Sequence, residues 1–164
     1  AWMSLREEPH LRRGHGSGAF DSEGVATVAS DLVRDGVLQR YVLGSYSARK
    51  LGLESTGNAG GIHNLVANAN AGDFADLVSR MGSGLVVTEL MGQGVNLVTG
   101  DYSRGAAGFW VENGRIQFPV HEITIAGNLR DMLKGIQAVG ADAYTMGSKT
   151  IGSVLIDRMK IAGS

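Results

Sequence analysis

Four histidines, His10, His15, His63 and His121, are where hydrolytic or metal chemistry would start in this chain of 164 residues. His121-Glu122 has the opening of a helical metal motif, in which two imidazoles one turn apart share an ion and the glutamate activates water. Four residues beyond His121, however, stands Ile125, and the run from Val120 to Ile125 has β rather than helical character. The pair therefore reads as polar residues on the solvent side of a hairpin strand. His10 and His15 lie five apart in a glycine-rich segment near Glu7 and Glu8. That spacing admits an adventitious ion, but loop histidines are usually solvated side chains. His63 differs, because it follows Gly60-Gly61 and precedes Asn64, where backbone can come close to another peptide. It is a candidate for substrate or partner contact, with a structural hydrogen bond as the other reading.

The densest polar group, Asp101-Tyr102-Ser103-Arg104, stands between Gly100 and Gly105. It reads as a polar loop or bulge at a strand edge. Arg104 suits a peptide carboxylate and Asp101 an amine or amide, while an internal Asp101 to Arg104 pair pinning a turn is the alternative. Spacing assembles no Ser-His-Asp triad, and the GQG and GNAGG runs lack the lysine or helix that follows a phosphate loop. Phe109 and Trp110 face opposite ways on a strand, one toward the core and the other free to meet a partner. The candidate substrate-binding or interface residues are thus His63, Asn64, Asp101, Tyr102 and Arg104, expected to share one glycine-lined surface. No catalytic residue and no metal ligand is assigned.

Positioning these residues requires a sheet with short helices. Residues 1–24 read as a loop-like entry. Val25–Val33 and Val37–Leu43 are strand-like around Arg34-Asp35-Gly36, a hairpin signal. Tyr46–Leu53 forms one or two helical turns ended by Gly57 and Gly60-Gly61, and Ile62–Asn70 reads as a strand. Phe74, Leu77, Val78 and Met81 make an apolar helical face, with Asp73 as cap and Gly82 past the end. Leu85-Val86-Val87 reads as a buried strand. Gly105–Glu112 and Arg115–Ile125 flank Asn113-Gly114, which accepts the positive φ of a type I′ turn. A second helix is predicted from the Asn128 cap through Leu129, Met132, Leu133 and Ile136 to Gly140, and a last strand over Ser153–Ile161. Tight turns rather than regular βαβ crossovers predict α+β, with a largely antiparallel or mixed sheet and two or three short amphipathic helices.

Fifteen basic and sixteen acidic residues leave a net charge of −1, and no basic run exceeds two residues, so direct nucleic-acid binding is not indicated. The absence of cysteine excludes disulfides, cysteine nucleophiles and thiolate zinc ligands, and is compatible with a reducing cytosol. No apolar stretch approaches a membrane span. Twenty-five glycines are about twice the average usage of roughly 7%, which predicts many turns and close backbone contacts. The length suits a single domain over residues 1–164.

The runs VTELMGQGVNLVTGDYSRGAAGFWVENG, SYSARKLGLESTGNAGGIHN and FPVHEITIAGNLRDML resemble the carboxy-terminal domain of the PmbA/TldD family, in its PmbA (TldE) branch. The resemblance covers nearly the whole chain, which opens on Ala1 rather than Met, so a carboxy-terminal piece of a longer PmbA-like protein is expected. It implies a cytoplasmic, heterodimeric zinc metallopeptidase acting on peptides, in which a TldD-like partner holds the metal through a helical two-histidine motif and a cysteine. On this reading the domain gives structure, subunit contacts and part of a substrate cleft, holds no cofactor, and is inactive alone. A homodimer of the isolated domain is a further arrangement. The family's older name, modulator of DNA gyrase, gives the alternative of a non-enzymatic module acting on gyrase or a gyrase toxin.

Overall fold

A computed structural model of the chain describes residues 2–163. Its elements in order are β1 (Leu5–Glu7), β2 (Ser30–Arg34), β3 (Val37–Leu38), α1 (Ser45–Leu51), β4 (Leu65–Ala67), α2 (Phe74–Met81), β5 (Gly84–Met91), β6 (Asp101–Glu112), β7 (Arg115–Asn128), α3 (Leu129–Lys134), β8 (Ile136–Val139), β9 (Tyr144–Met146), β10 (Lys149–Ile151), β11 (Val154–Ile156) and β12 (Lys160–Ala162). The class is α+β, as predicted. The chain forms two compact units, residues 2–70 with Asp142–Gly152, and Ala71–Ala141 with residues 153–163.

The first unit is a six-stranded mixed sheet in the order β3-β2-β1-β4-β10-β9. Its β2–β3 hairpin turns at Asp35 (φ 49) and Gly36 (φ 76), the two positive angles that a type I′ turn demands. The loop-like entry is corrected: Leu5–Glu7 is a strand paired with both β2 and β4. Three residues with two charges give no period to detect, and their neighbours supply the register. Helix α1 ends at Gly52, whose left-handed backbone donates to the carbonyls of Ala48 and Arg49, before either glycine cluster expected to stop it.

The second unit holds a four-stranded sheet, β12-β7-β6-β5, and the two-stranded pair β11-β8. The long β6–β7 hairpin turns at Asn113 (φ 51) and Gly114 (φ 69) as predicted. Helix α2 has the predicted ends, with the Asp73 carboxylate accepting from the Asp76 backbone N–H at 3.1 Å, and buries Leu77 and Val78. Burying two such side chains contributes roughly 3–6 kcal/mol. The second predicted helix is shorter than its apolar stripe implied. Gly135 ends it, Leu133 is 67% exposed, and Ile136 pairs with Ile156 in β8–β11. The last predicted strand is split into β11 and β12. Ala106, Ile123 and Ile125 form the buried centre, packed by Leu85, Tyr102, Val120 and Met159.

Candidate functional site

The structure divides the five predicted site residues between the units: His63 and Asn64 in the first, Asp101, Tyr102 and Arg104 in the second. In the first unit they surround a carboxylate that sequence reasoning did not single out, Glu7, which is 1% exposed. Strand β1 carries Glu7 inward, and its Oε1 accepts from the His63 backbone N–H at 2.7 Å, His63 Nδ1 at 2.8 Å and Asn58 Nδ2 at 2.7 Å. Its Oε2 accepts from Arg40 Nη2, and Arg40 Nη1 also donates to Asn58 Oδ1 at 2.9 Å. Burial pushes the Glu7 carboxyl up. The His63 N–H, the His63 ring, the Arg40 charge and Asn58 together outweigh that and hold it below the usual glutamate range.

An ionised carboxylate only accepts, so His63 Nδ1 carries a proton, and when the ring is neutral Nε2 is its acceptor. Gly18 comes close to this edge, since a Cβ there would lie 4.0 Å from His63 Nε2. Gly60 (φ 100) and Gly61 (φ 119) adopt backbone that suits glycine. Asn64 is buried and saturated: its Oδ1 accepts from the Gly16 N–H at 2.9 Å, and its Nδ2 donates to the Glu8 carbonyl at 2.8 Å and Ser17 Oγ at 2.7 Å. It pins the 14–17 loop to the sheet. Nearby Asp21 is also buried. Burial raises its carboxyl, but the N–H groups of Ala59, Val25 and Glu23 draw it down.

In the second unit Asp101–Arg104 is not a loop or bulge but the start of β6, paired in unbroken register with Asn128–Ile125 of β7. Alternation sends Asp101 and Ser103 to one face and Tyr102 and Arg104 to the other. This is why no Asp101 to Arg104 pair forms. Asp101 Oδ2 instead accepts from Thr99 Oγ1 at 2.7 Å. Arg104 stands opposite Ile125, and both Ile125 and Tyr102 line a groove of about 680 Å³ bounded by Phe74, Met81, Leu85, Leu90 and Met159. Cross-strand partners share a face, so Arg104 leaves the sheet on the groove side. Its Nη2 reaches the Leu90 carbonyl at 3.4 Å, while its Nε is buried with no partner. Strand β5, which borders the groove, is the open edge of its sheet. It is not the buried strand expected, for Leu85 and Val86 are half-buried and Val87 to Met91 are exposed.

The remaining histidines are placed as follows. His121 is exposed on β7 beside Glu122, whose φ of 52 falls in an irregular stretch of the strand. Thr27 Oγ1 donates to the Gly18 carbonyl at 2.6 Å, so it accepts from His10 Nε2 at 3.0 Å. His15 is exposed. Among the described residues no three of His, Asp and Glu gather as a metal-ligand set. The chain has no cysteine, so it offers no thiolate ligand. Among the described residues no helix is long and apolar enough to cross a membrane.

Comparison with known proteins gives a consistent placement. The family described as PmbA/TldA metallopeptidase C-terminal domain matches residues 1–163. The chain is 59% identical over 162 residues to metalloprotease PmbA of Escherichia coli O157:H7, covering 99% of this chain and 36% of that protein. It is 56% identical to the PmbA homolog of Haemophilus influenzae, with the same coverage. It therefore spans little more than a third of the length of these relatives. Among crystal structures, a candidate modulator of DNA gyrase from Thermotoga maritima superposes with a TM-score of 0.88 at 37% identity, covering 98% of this chain and 39% of that one. TldE from Thermococcus kodakarensis gives 0.83 at 26% identity, covering 98% and 40%. The chain belongs to the PmbA/TldD metallopeptidase family, as its carboxy-terminal domain.

Proposed function

We propose that this domain belongs to a PmbA/TldE-like subunit of a cytoplasmic, two-subunit metallopeptidase, in which it provides subunit contacts and part of the peptide cleft while a TldD-like partner holds the zinc. The groove of the second unit carries this reading. An apolar channel of about 680 Å³ runs beside an open strand edge, where an extended peptide could add main-chain hydrogen bonds and seat alternate side chains. Arg104, with a buried donor left unpartnered, supplies one polar group to orient a peptide carbonyl or carboxylate. In the first unit, Glu7 holds the His63 ring through Nδ1, and Asn64 fixes the loop beside it. On this reading the residues of this domain bind and orient the peptide, and the partner's metal supplies the bond cleavage.

The test is reconstitution of the full-length protein with a TldD-like subunit. Chelator-sensitive peptide cleavage that needs both chains, and a raised KM for Arg104→Gln, are the expected results. Chelator-sensitive turnover by the full-length protein alone would overturn the division of labour. Tight binding to gyrase in the absence of the second subunit would instead favour the interaction-module reading.

A further inference from the structure

A smaller cavity of about 140 Å³ lies in the first unit, lined by Leu11, Arg12, Arg13, Gly14 and His15 on one side and by Thr145, Gly147, Ser148 and Thr150 on the other, with Asn64 at its wall. At about 30 Å³ per water, its volume suits four or five waters, or one small polar group. Its chemistry has one sign. The segments supplying most of its lining, residues 9–20 and 143–152, contain Arg12, Arg13 and Lys149 and no aspartate or glutamate, in a chain whose net charge is −1. The carboxylates that adjoin these segments in sequence are engaged: Glu8 by Arg6 at 2.5 Å, Asp21 by the N–H groups of Ala59, Val25 and Glu23, and Asp142 by a partner of its own. Asn64 is committed to the loop and the Glu8 carbonyl, and Thr145 and Thr150 bond each other at 2.9 Å.

Arg12, Arg13 and His15 are exposed, and no ion pair engages them among the described residues. Arg13 has a φ of 61, an uncommon backbone for a long side chain, which turns the Arg12-Arg13-Gly14 corner over the cavity. Two guanidinium groups and an imidazole beside free hydroxyl capacity, with no acid among the lining residues, form a set of donors suited to an oxyanion.

We propose that this cup binds an oxyanion, a phosphate group or a carboxylate, through Arg12, Arg13 and His15. The site uses none of the groove residues, so it stands or falls apart from the peptide-cleft reading. The experiment is isothermal titration of the full-length protein with three probes: inorganic phosphate, an N-acetylated dialanine with a free carboxylate, and the same peptide as its amide. The double variant Arg12→Gln/Arg13→Asn removes both charges, with asparagine chosen because it tolerates the left-handed backbone. Lys50→Gln, a charge lost elsewhere on the first unit, is the control.

Saturable binding of phosphate or of the carboxylate peptide, weakened roughly tenfold or more in the double variant and within twofold in the control, is the expected result. Phosphate alone would identify a phosphate-bearing ligand, and the carboxylate without its amide would identify a chain end. The proposal is overturned if neither anion saturates, if the amide binds as well as the acid, or if double variant and control weaken alike.

Discussion

Glu7 Oε1 accepts both N–H groups of His63, the backbone at 2.7 Å and ring Nδ1 at 2.8 Å. One oxygen thus fixes the position and the tautomer of a residue 56 places away. Removing the charge leaves Arg40 as an uncompensated, largely buried cation, with a side chain 17% exposed. Glu7→Ala is therefore expected to destabilise the fold by about 3–5 kcal/mol, measured as a shift in the denaturation midpoint at unchanged slope. A midpoint within error of the parent would show that the network contributes nothing to stability.

The same carboxylate sets an acid sensitivity. Its pKa in the folded chain lies below the ordinary value of 4.5, so the unfolded chain binds the proton more readily. The stability from Glu7 is accordingly present above that ordinary value and is lost as pH falls through the folded one. Parent protein is expected to lose stability steeply below about pH 4.5, and Glu7→Gln, less stable at neutral pH, to show a shallower acid slope. Parallel stability curves from pH 7 to pH 3 would contradict this.

At the β6–β7 hairpin, Asn113 has a φ of 51. A β-branched side chain resists that backbone, so Asn113→Val is expected to cost on the order of 1–3 kcal/mol. Asn113→Gly should be nearly neutral. Thermal unfolding of the pair checks the conformation rather than the side chain, because both substitutions remove the amide.

The hairpins, the α2 ends and the fold class were legible because their signals are local: Asp35-Gly36, Asn113-Gly114 and Asp73 with Gly82 act on the backbone within a turn. The Glu7 centre was not, since Arg40, Asn58 and His63 lie 33, 51 and 56 residues away and no spacing rule joins them. Short strands such as β1, β9 and β10 escaped for a related reason, as three residues carry no period. Arg104 was marked as a polar residue of interest and placed in a loop, whereas it lies on β6. Gly105, which follows it, proved to be a strand position: a Cβ there would lie 3.3 Å from Met91 Cβ.

Gly108 is the clearest such position. A Cβ there would lie 1.8 Å from the Val86 carbonyl oxygen, a backbone atom that cannot move without parting β5 from β6. Gly108→Ala is expected to destabilise by roughly 3 kcal/mol or more and to raise hydrogen exchange along β5. An exchange pattern like the parent's would mean the strands absorb the methyl.

Arg104 separates stability from binding. Its Nε is buried without a partner, and its one hydrogen bond is long. Burying a cation so poorly satisfied costs free energy, and an apolar side chain of similar reach relieves that cost. Arg104→Leu is therefore expected to leave the denaturation midpoint unchanged or raised. If the guanidinium orients a peptide in the groove, the same substitution loses a charge-assisted hydrogen bond of about 1.5–3 kcal/mol, seen as a KM raised about tenfold or more in the reconstituted two-subunit enzyme. A destabilised Arg104→Leu would place the residue in the scaffold. Unchanged stability together with an unchanged KM would remove it from the site.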